Sequence, residues 1–270
     1  MSGETVPSGR GDNGTAHQVG IFLEHHGPVG DAYRPIILVH GAPDRSTAFR
    51  EVLVHLVGCS VFVYDRRGYG RSAWTAQARN MTDHARDLLD VIGRCNAAPV
   101  VVAHSFGSNP TMLAASLRPA AFGAIGLWEP PLPWVAWWPE RTKAYNAAVA
   151  SSDDPAEDIE DIYRRLLGEA AWNGLSPETR AQRRAEGLAF QRDMASELRA
   201  PFDFEDVSVP ALVGFGTETS DEHAYGARWL AEQLPNAALH SIQGSGHFAP
   251  RTHPREFARF VLAAALLATG

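Results

Sequence analysis

The sequence predicts an α/β fold, with a mostly parallel central sheet flanked by helices and a helical cap inserted late in the chain. Three observations carry this expectation. Short apolar, β-branched runs alternate with helical patterns through most of the 270 residues, as expected for parallel strands joined by crossover helices. One run, Val100-Val101-Val102-Ala103-His104, ends on Ser105 among small residues and turns directly into a helical pattern. Between Pro131 and Asp206 the alternation stops and the chain becomes charged and helical.

The first 19 residues are rich in Gly, Ser and Thr and lack the apolar h-region of a signal peptide. A flexible tail and a cytoplasmic location are expected. Arg10-Gly11-Asp12 in this tail spells an integrin-binding tripeptide, a pattern short enough to arise by chance. Strands are expected over Pro35 to His40, Ser60 to Asp65, Pro99 to His104, Gly123 to Trp128, Ala211 to Gly216 and Leu239 to Gln243. Helices are expected over Ser46 to Val57, Met81 to Cys95, Ser105 to Leu117, His223 to Leu234 and His253 to Leu267. Pro110 falls near the first turn of the third helix, where a missing N–H is tolerated. The predicted organisation is a tail (1–19), a core (20–131 and 207–270) and a cap (132–206) whose clearest helices are Asp153 to Leu167 and Pro177 to Arg199.

Composition excludes several partners. A formal net charge of −7 without a basic stripe does not suit nucleic acid, which needs concentrated Lys and Arg. The longest apolar stretch, Phe260 to Thr269, is too short to span a bilayer. Cys59 and Cys95 are too few for a disulfide scaffold and lack a metal-ligand spacing. No metal or organic cofactor is expected, and a homo-oligomer is compatible with the sequence.

The chemistry centres on Ser105. A tight strand-to-helix turn lifts a serine oxygen out of the sheet and presents the next backbone N–H, that of Phe106, to whatever the serine attacks. The usual signature of such an elbow is Gly-x-Ser-x-Gly, and here Ala103 replaces the first glycine. Activating a serine requires a base, and the base requires an orienting acid. His247, in Gly244-Ser245-Gly246-His247-Phe248 after the last strand, is the expected base. The second oxyanion donor is expected from the loop His40-Gly41-Ala42-Pro43, at the N–H of Ala42. In most proteins with such an elbow the acid follows the strand that here ends at Gly216, but Thr219 stands where the aspartate would be. Glu129, directly after the run ending at Trp128, is the preferred acid, with Glu218 and Asp221 as alternatives. Gly41, His104, Trp134 and Trp138 are candidate substrate-binding residues, since an aromatic cluster at the start of the cap suits an apolar pocket. The alternative for these aromatics is packing of cap on core. The glycine-punctuated loop Asp65 to Ser72 reads as structural.

On His40-Gly41, the Asp65 to Ser72 loop, the Ser105 elbow and the His247 loop, the chain from about Gly20 onward resembles the α/β-hydrolase superfamily. Within it, the chain is similar to the zearalenone lactone hydrolases, which use a glutamate after the strand that follows the elbow, matching Glu129. The segments Val213 to Thr219 and Gly246 to Phe248, followed by His253 to Ala258, also look similar, and Glu129-Pro130-Pro131 resembles a broad group of bacterial hydrolases of the same fold. The resemblance implies a cofactor-independent serine hydrolase acting on a lactone or hydrophobic ester such as zearalenone, through a Ser-His-Glu triad. A carbon–carbon bond hydrolase or a perhydrolase would use the same triad, and a ligand receptor could share the fold.

Overall fold

The computed structural model describes residues 20–28, 30, 34–74 and 78–268. The tail and its Arg10-Gly11-Asp12 lie outside the described residues. Seven strands form one sheet in the order β1-β3-β2-β4-β5-β6-β7: β1 Leu23–His26, β2 Ile36–Val39, β3 Val61–Tyr64, β4 Val100–His104, β5 Ala124–Trp128, β6 Ala211–Gly216 and β7 Ala237–Ile242. Every pairing is parallel except β1 with β3. Strand β1 has no counterpart in the sequence reading, because Leu-Glu-His-His at a half-buried edge shows no apolar run.

Strands β2 and β4 to β6 are buried throughout, which is why they read as continuous apolar runs rather than alternating ones. Their side chains feed two cores. On one face Ile37, Val101, Ala103, Ile125 and Val213 pack against α2 Met81–Ile92, α3 Ser108–Leu117 and α9 Asp221–Gln233. On the other face Leu38, Val100, Val102, Trp128 and Leu212 pack against α1 Arg50–Leu53 and α11 Pro254–Leu267. The first expected helix is instead a 3-10 turn, Ser46–Phe49, followed by the short α1, and α11 is preceded by a separate short helix, α10 Ala249–Thr252.

Five helices fill the segment between β5 and β6: α4 Glu140–Ala150, α5 Pro155–Leu167, α6 Glu169–Asn173, α7 Pro177–Ala185 and α8 Gly187–Ser196. The single helix expected over Pro177 to Arg199 is therefore broken at Glu186-Gly187. Just past the break α8 starts against α5, and a Cβ on Gly187 would lie 2.1 Å from the carbonyl oxygen of Pro155. The break also turns the buried Glu186 inward to accept from Arg45 and from the Gly70 N–H. Val149, Ile159, Tyr163, Trp172, Phe190 and Met194 form a separate small core within this cap, against which Ala42 packs.

A fully buried ion pair fastens the cap to the sheet. Arg66, after β3, donates from NH2 to Asp193 Oδ2 of α8 at 2.8 Å, and Tyr69 and His84 bond the same carboxylate. Burial alone would raise the Asp193 carboxyl, but Arg66 and His84 hold it down at about 2. Removing one partner of such a pair strands the other charge, so Asp193→Ala is expected to lower unfolding free energy by about 3–5 kcal/mol in urea denaturation. A loss below about 1 kcal/mol would show that the pair does not anchor the cap.

Candidate active site

Ser105 sits at the carboxyl end of β4, where a 3-10 turn, Ser105–Gly107, leads into α3. Its φ of 52° is left-handed, a conformation that costs an L-residue about 1–2 kcal/mol. Among the described residues Glu129, with φ 46°, is the other non-glycine residue in this region. The backbone is thus strained at both positions that the sequence singles out for chemistry. The turn passes so close to β2 that a Cβ on Gly107 would lie 2.6 Å from the His40 carbonyl oxygen. Ala103, in place of the first glycine of the signature, is accommodated fully buried in the core.

The carboxylate of Glu129 has no solvent exposure. Its Oε1 accepts from the Gly216 N–H at 2.7 Å, and its Oε2 accepts from Thr219 Oγ1 at 2.8 Å and lies 2.8 Å from His247 Nδ1. Thr219, standing where an aspartate was expected, therefore serves as a donor to Glu129. Glu218 and Asp221 are exposed. The loop of His247 is fixed through its backbone, whose carbonyl accepts from His104 Nε2 at 2.9 Å and from Trp128 Nε1 at 3.3 Å.

Ala42 follows β2, whose neighbours β3 and β4 lie on either side. The strand order reverses there, and crevices at such switch points are where open α/β sheets bind ligands. His40 and Arg66 set the shape of this loop. His40 Nδ1 donates to the Gly41 carbonyl at 2.8 Å while its Nε2 accepts from the Arg66 N–H. The Arg66 side chain donates to the carbonyls of both His40 and Gly41, and its guanidinium lies over the Phe106 ring, 4.6 Å from the centroid. The loop read as structural thus positions both segments expected to supply oxyanion donors. Two arginines in sequence gave no sign of which one turns inward.

A cavity of about 270 Å³ opens beside Ser105 and His247, with Gly41, Ala42, His104, Phe106 and Trp138 also in its wall. Trp134 is not part of that wall. It packs against the main core on the α2, α3 and α9 face of the sheet, the cap-on-core alternative, and edge-on against Phe202. His223, at the start of α9, is a residue the sequence reading missed. Its ring faces His247 at 4.6 Å between centroids and its Nδ1 bonds Ser220 Oγ. Burial, followed by the His247 imidazole, pushes His104 down to about 4 and His223 to about 3. The cavity is therefore lined by neutral imidazoles at neutral pH.

Glu129, His223 and His247 each place a ligand atom within 4.8 Å of the other two. The Glu129 oxygens and His247 Nδ1 already bond one another, so a metal ion there would have to displace the Nδ1 proton. As it stands, the arrangement can move a proton at a serine: a hydroxyl on a strained turn, an imidazole, and a buried carboxylate bonded to that imidazole.

Gly107 offers a test of the turn. Gly107→Ala is expected to destabilise the fold by about 1–3 kcal/mol, because the methyl group meets backbone that cannot move aside. Thermal unfolding of the two proteins would measure it, and an unchanged midpoint would contradict the close approach to β2.

Residues 36–260 match the model of the Alpha/beta hydrolase family. Lipase LipV of Mycobacterium tuberculosis is 32% identical over 162 residues, 59% of this chain and 58% of the lipase. Polyketide synthase ThaQ of Burkholderia thailandensis is 27% identical over 245 residues, 84% of this chain and 12% of the synthase. The chain thus spans less than two thirds of either relative. A solved structure of a thermophilic esterase from Thermogutta terrifontis superposes with a TM-score of 0.73 at 19% identity, covering 95% of this chain and 97% of the esterase. With a family model matched over residues 36–260, from β2 into α11, the chain belongs to the alpha/beta hydrolase family.

Proposed function

We propose that the protein is a serine hydrolase that cleaves a carboxylic ester, with a lactone or hydrophobic ester as substrate, through an acyl-enzyme. The observation that carries this reading is the bond from His247 to the buried Glu129, at the same cavity as a serine held at a φ of 52°. With Nδ1–H donated to the carboxylate, the lone pair of neutral His247 lies on Nε2, the nitrogen that takes the Ser105 proton. Ser105 Oγ then bonds to the carbonyl carbon, and the backbone N–H groups of Ala42 and Phe106 hold the oxyanion, each worth about 3 kcal/mol. Collapse breaks the bond to the leaving oxygen, which receives the proton from His247. Water, activated by the same imidazole, repeats the sequence and releases the acid. In a lactone the leaving oxygen stays tethered, so a single opened chain results.

The cavity supports an apolar, uncharged substrate. Ile162, Leu166, Phe190 and Met194 line it, and among the described residues no Lys or Arg does. The deciding experiment is product analysis by mass spectrometry for wild type and Ser105→Ala on zearalenone, smaller lactones and p-nitrophenyl esters. Ring opening by wild type, lost by at least about 10⁴-fold in Ser105→Ala, is expected. Turnover that survives the substitution would overturn the serine mechanism. Cleavage of activated esters alone would discard the macrolactone, and no serine-dependent product would favour a carbon–carbon substrate or a receptor.

Burial pushes the His247 imidazole down to about 4, against the opposing pull of the Asp44 carboxylate. A base acts only while unprotonated, so a lowered value extends activity toward acid. The kcat/KM for a p-nitrophenyl ester is therefore expected to stay level down to about pH 5 and to fall below it, with the acid limb centred at about 4. An acid limb centred at or above the ordinary histidine value of about 6.5 would contradict the burial of this base.

A further inference from the structure

The cap wall of the cavity holds a cluster of polar groups that the chemistry at Ser105 does not use. Glu197, which directly follows α8 as its C-cap, is 3% exposed, and Asn146 of α4 is 2% exposed; both line the cavity. Asn146 Nδ2 donates to Glu197 Oε2 at 2.8 Å, which leaves Glu197 Oε1 buried with no partner among the described residues. The hydroxyl of Tyr145, on α4 and also in the cavity wall, is buried and unpartnered as well. Buried polar atoms in folded proteins nearly always have a partner, so Glu197 Oε1 and the Tyr145 hydroxyl, which among the described residues share the cavity wall with the unpartnered His104 Nδ1 and Trp138 Nε1, call for one from outside the chain.

We propose that Glu197 and Tyr145, braced by Asn146, form a subsite that binds a neutral oxygen substituent, a hydroxyl or ketone, carried by an otherwise apolar substrate. The inference rests on the reading of the cavity as a substrate site and narrows the substrate class. Asn146 offers its N–H to one oxygen of Glu197, so the other oxygen is the one free to face a ligand. Burial, the largest influence, pushes this carboxyl up to about 8 against the bond from Asn146, with Asp193 adding to the rise and Arg66 opposing it. The group is thus a neutral acid at neutral pH, and its O–H, like that of Tyr145, is a donor in search of an acceptor. The rest of the cavity sets the charge preference. Asp44 and Glu222 share the wall and, among the described residues, no Lys or Arg does, so a carboxylate in place of the neutral oxygen would find no counter-charge there. An aliphatic end would leave both donors unpaired.

The test uses binding, so that its failure and that of the hydrolase reading are distinguishable. N-benzylalkanamides of equal length ending in methyl, hydroxyl, methyl ketone, carboxylate or trimethylammonium are titrated into the full chain, with tryptophan fluorescence as the signal, since Trp138 lines the cavity. The hydroxyl and ketone forms are expected to bind about tenfold tighter than the methyl form. That ratio should persist in Glu197→Gln, which keeps a donor, and shrink to within about twofold in Glu197→Leu. Tyr145→Phe should reduce it partway. Equal binding of the methyl and hydroxyl forms by the wild type, or a preference that survives Glu197→Leu, would overturn the subsite. Tightest binding of the trimethylammonium form would overturn it as well, by showing a cation site on an ionised Glu197. The matching p-nitrophenyl esters are then assayed for turnover. An oxygen preference in binding without any turnover would count against the hydrolase reading and leave the subsite standing.

Discussion

A carboxylate with no access to water must have its charge answered by the protein, and at the candidate active site of this molecule Glu129 is such a carboxylate. Its two oxygens draw in the Gly216 N–H at the end of β6, the Thr219 hydroxyl just beyond it, and His247 from the loop after β7. A residue on the end of β5 therefore ties together the carboxyl ends of three successive strands. The same demand explains the local backbone: a φ of 46° at Glu129 turns the chain back over the sheet edge and brings the side chain to His247. Removing the charge would release the imidazole and leave the Gly216 N–H and the Thr219 hydroxyl without their acceptor.

The rest of the site is built on the opposite side of His247 by a second buried group, Arg66. It reaches the carbonyls of His40 and Gly41, lies over Phe106 and ends on Asp193 of the cap. Cap position and loop shape are thus coupled through one guanidinium, whose planar fork suits several carbonyl and carboxylate acceptors at once. Beneath the cap, His104, His223 and His247 are each held below the ordinary histidine value, mainly by burial. Uncharged imidazole rings line the cavity beside Ser105, while Glu129 bonds His247 and the side chains of Asp44 and Glu222 also lie in the wall.

Much of this was legible in the sequence because it depends on local pattern. Continuous apolar runs mark strands buried on both faces, a serine after such a run marks the elbow, and Glu129 follows its strand directly. The missing aspartate at Thr219 was informative in the same way, since the residue in its place turns out to donate to Glu129. What escaped the sequence depends on tertiary placement. The edge strand β1 carries Glu24, His25 and His26 and has no core face to impose a period. Trp134 and Trp138 look alike in sequence, yet Trp138 lines the cavity and Trp134 meets Phe202. Glu197, His223 and Arg66 sit in segments whose polarity suits an exposed surface, and it is the cap helices folding over the sheet that bury Glu197 and Arg66. A helical insertion fixes its own periodicity but not which of its faces meets the core.

The central claim is that Glu129, rather than a carboxylate after β6, orients His247. The most direct measurement is kcat/KM on one p-nitrophenyl ester for Glu129→Gln, Glu218→Gln and Asp221→Asn, each shown to be folded by circular dichroism. A loss of about 10³–10⁴-fold for Glu129→Gln, with the other two within about threefold of wild type, is the predicted result. A Glu129→Gln enzyme near wild-type activity, or an equal collapse in Glu218→Gln or Asp221→Asn, would contradict it.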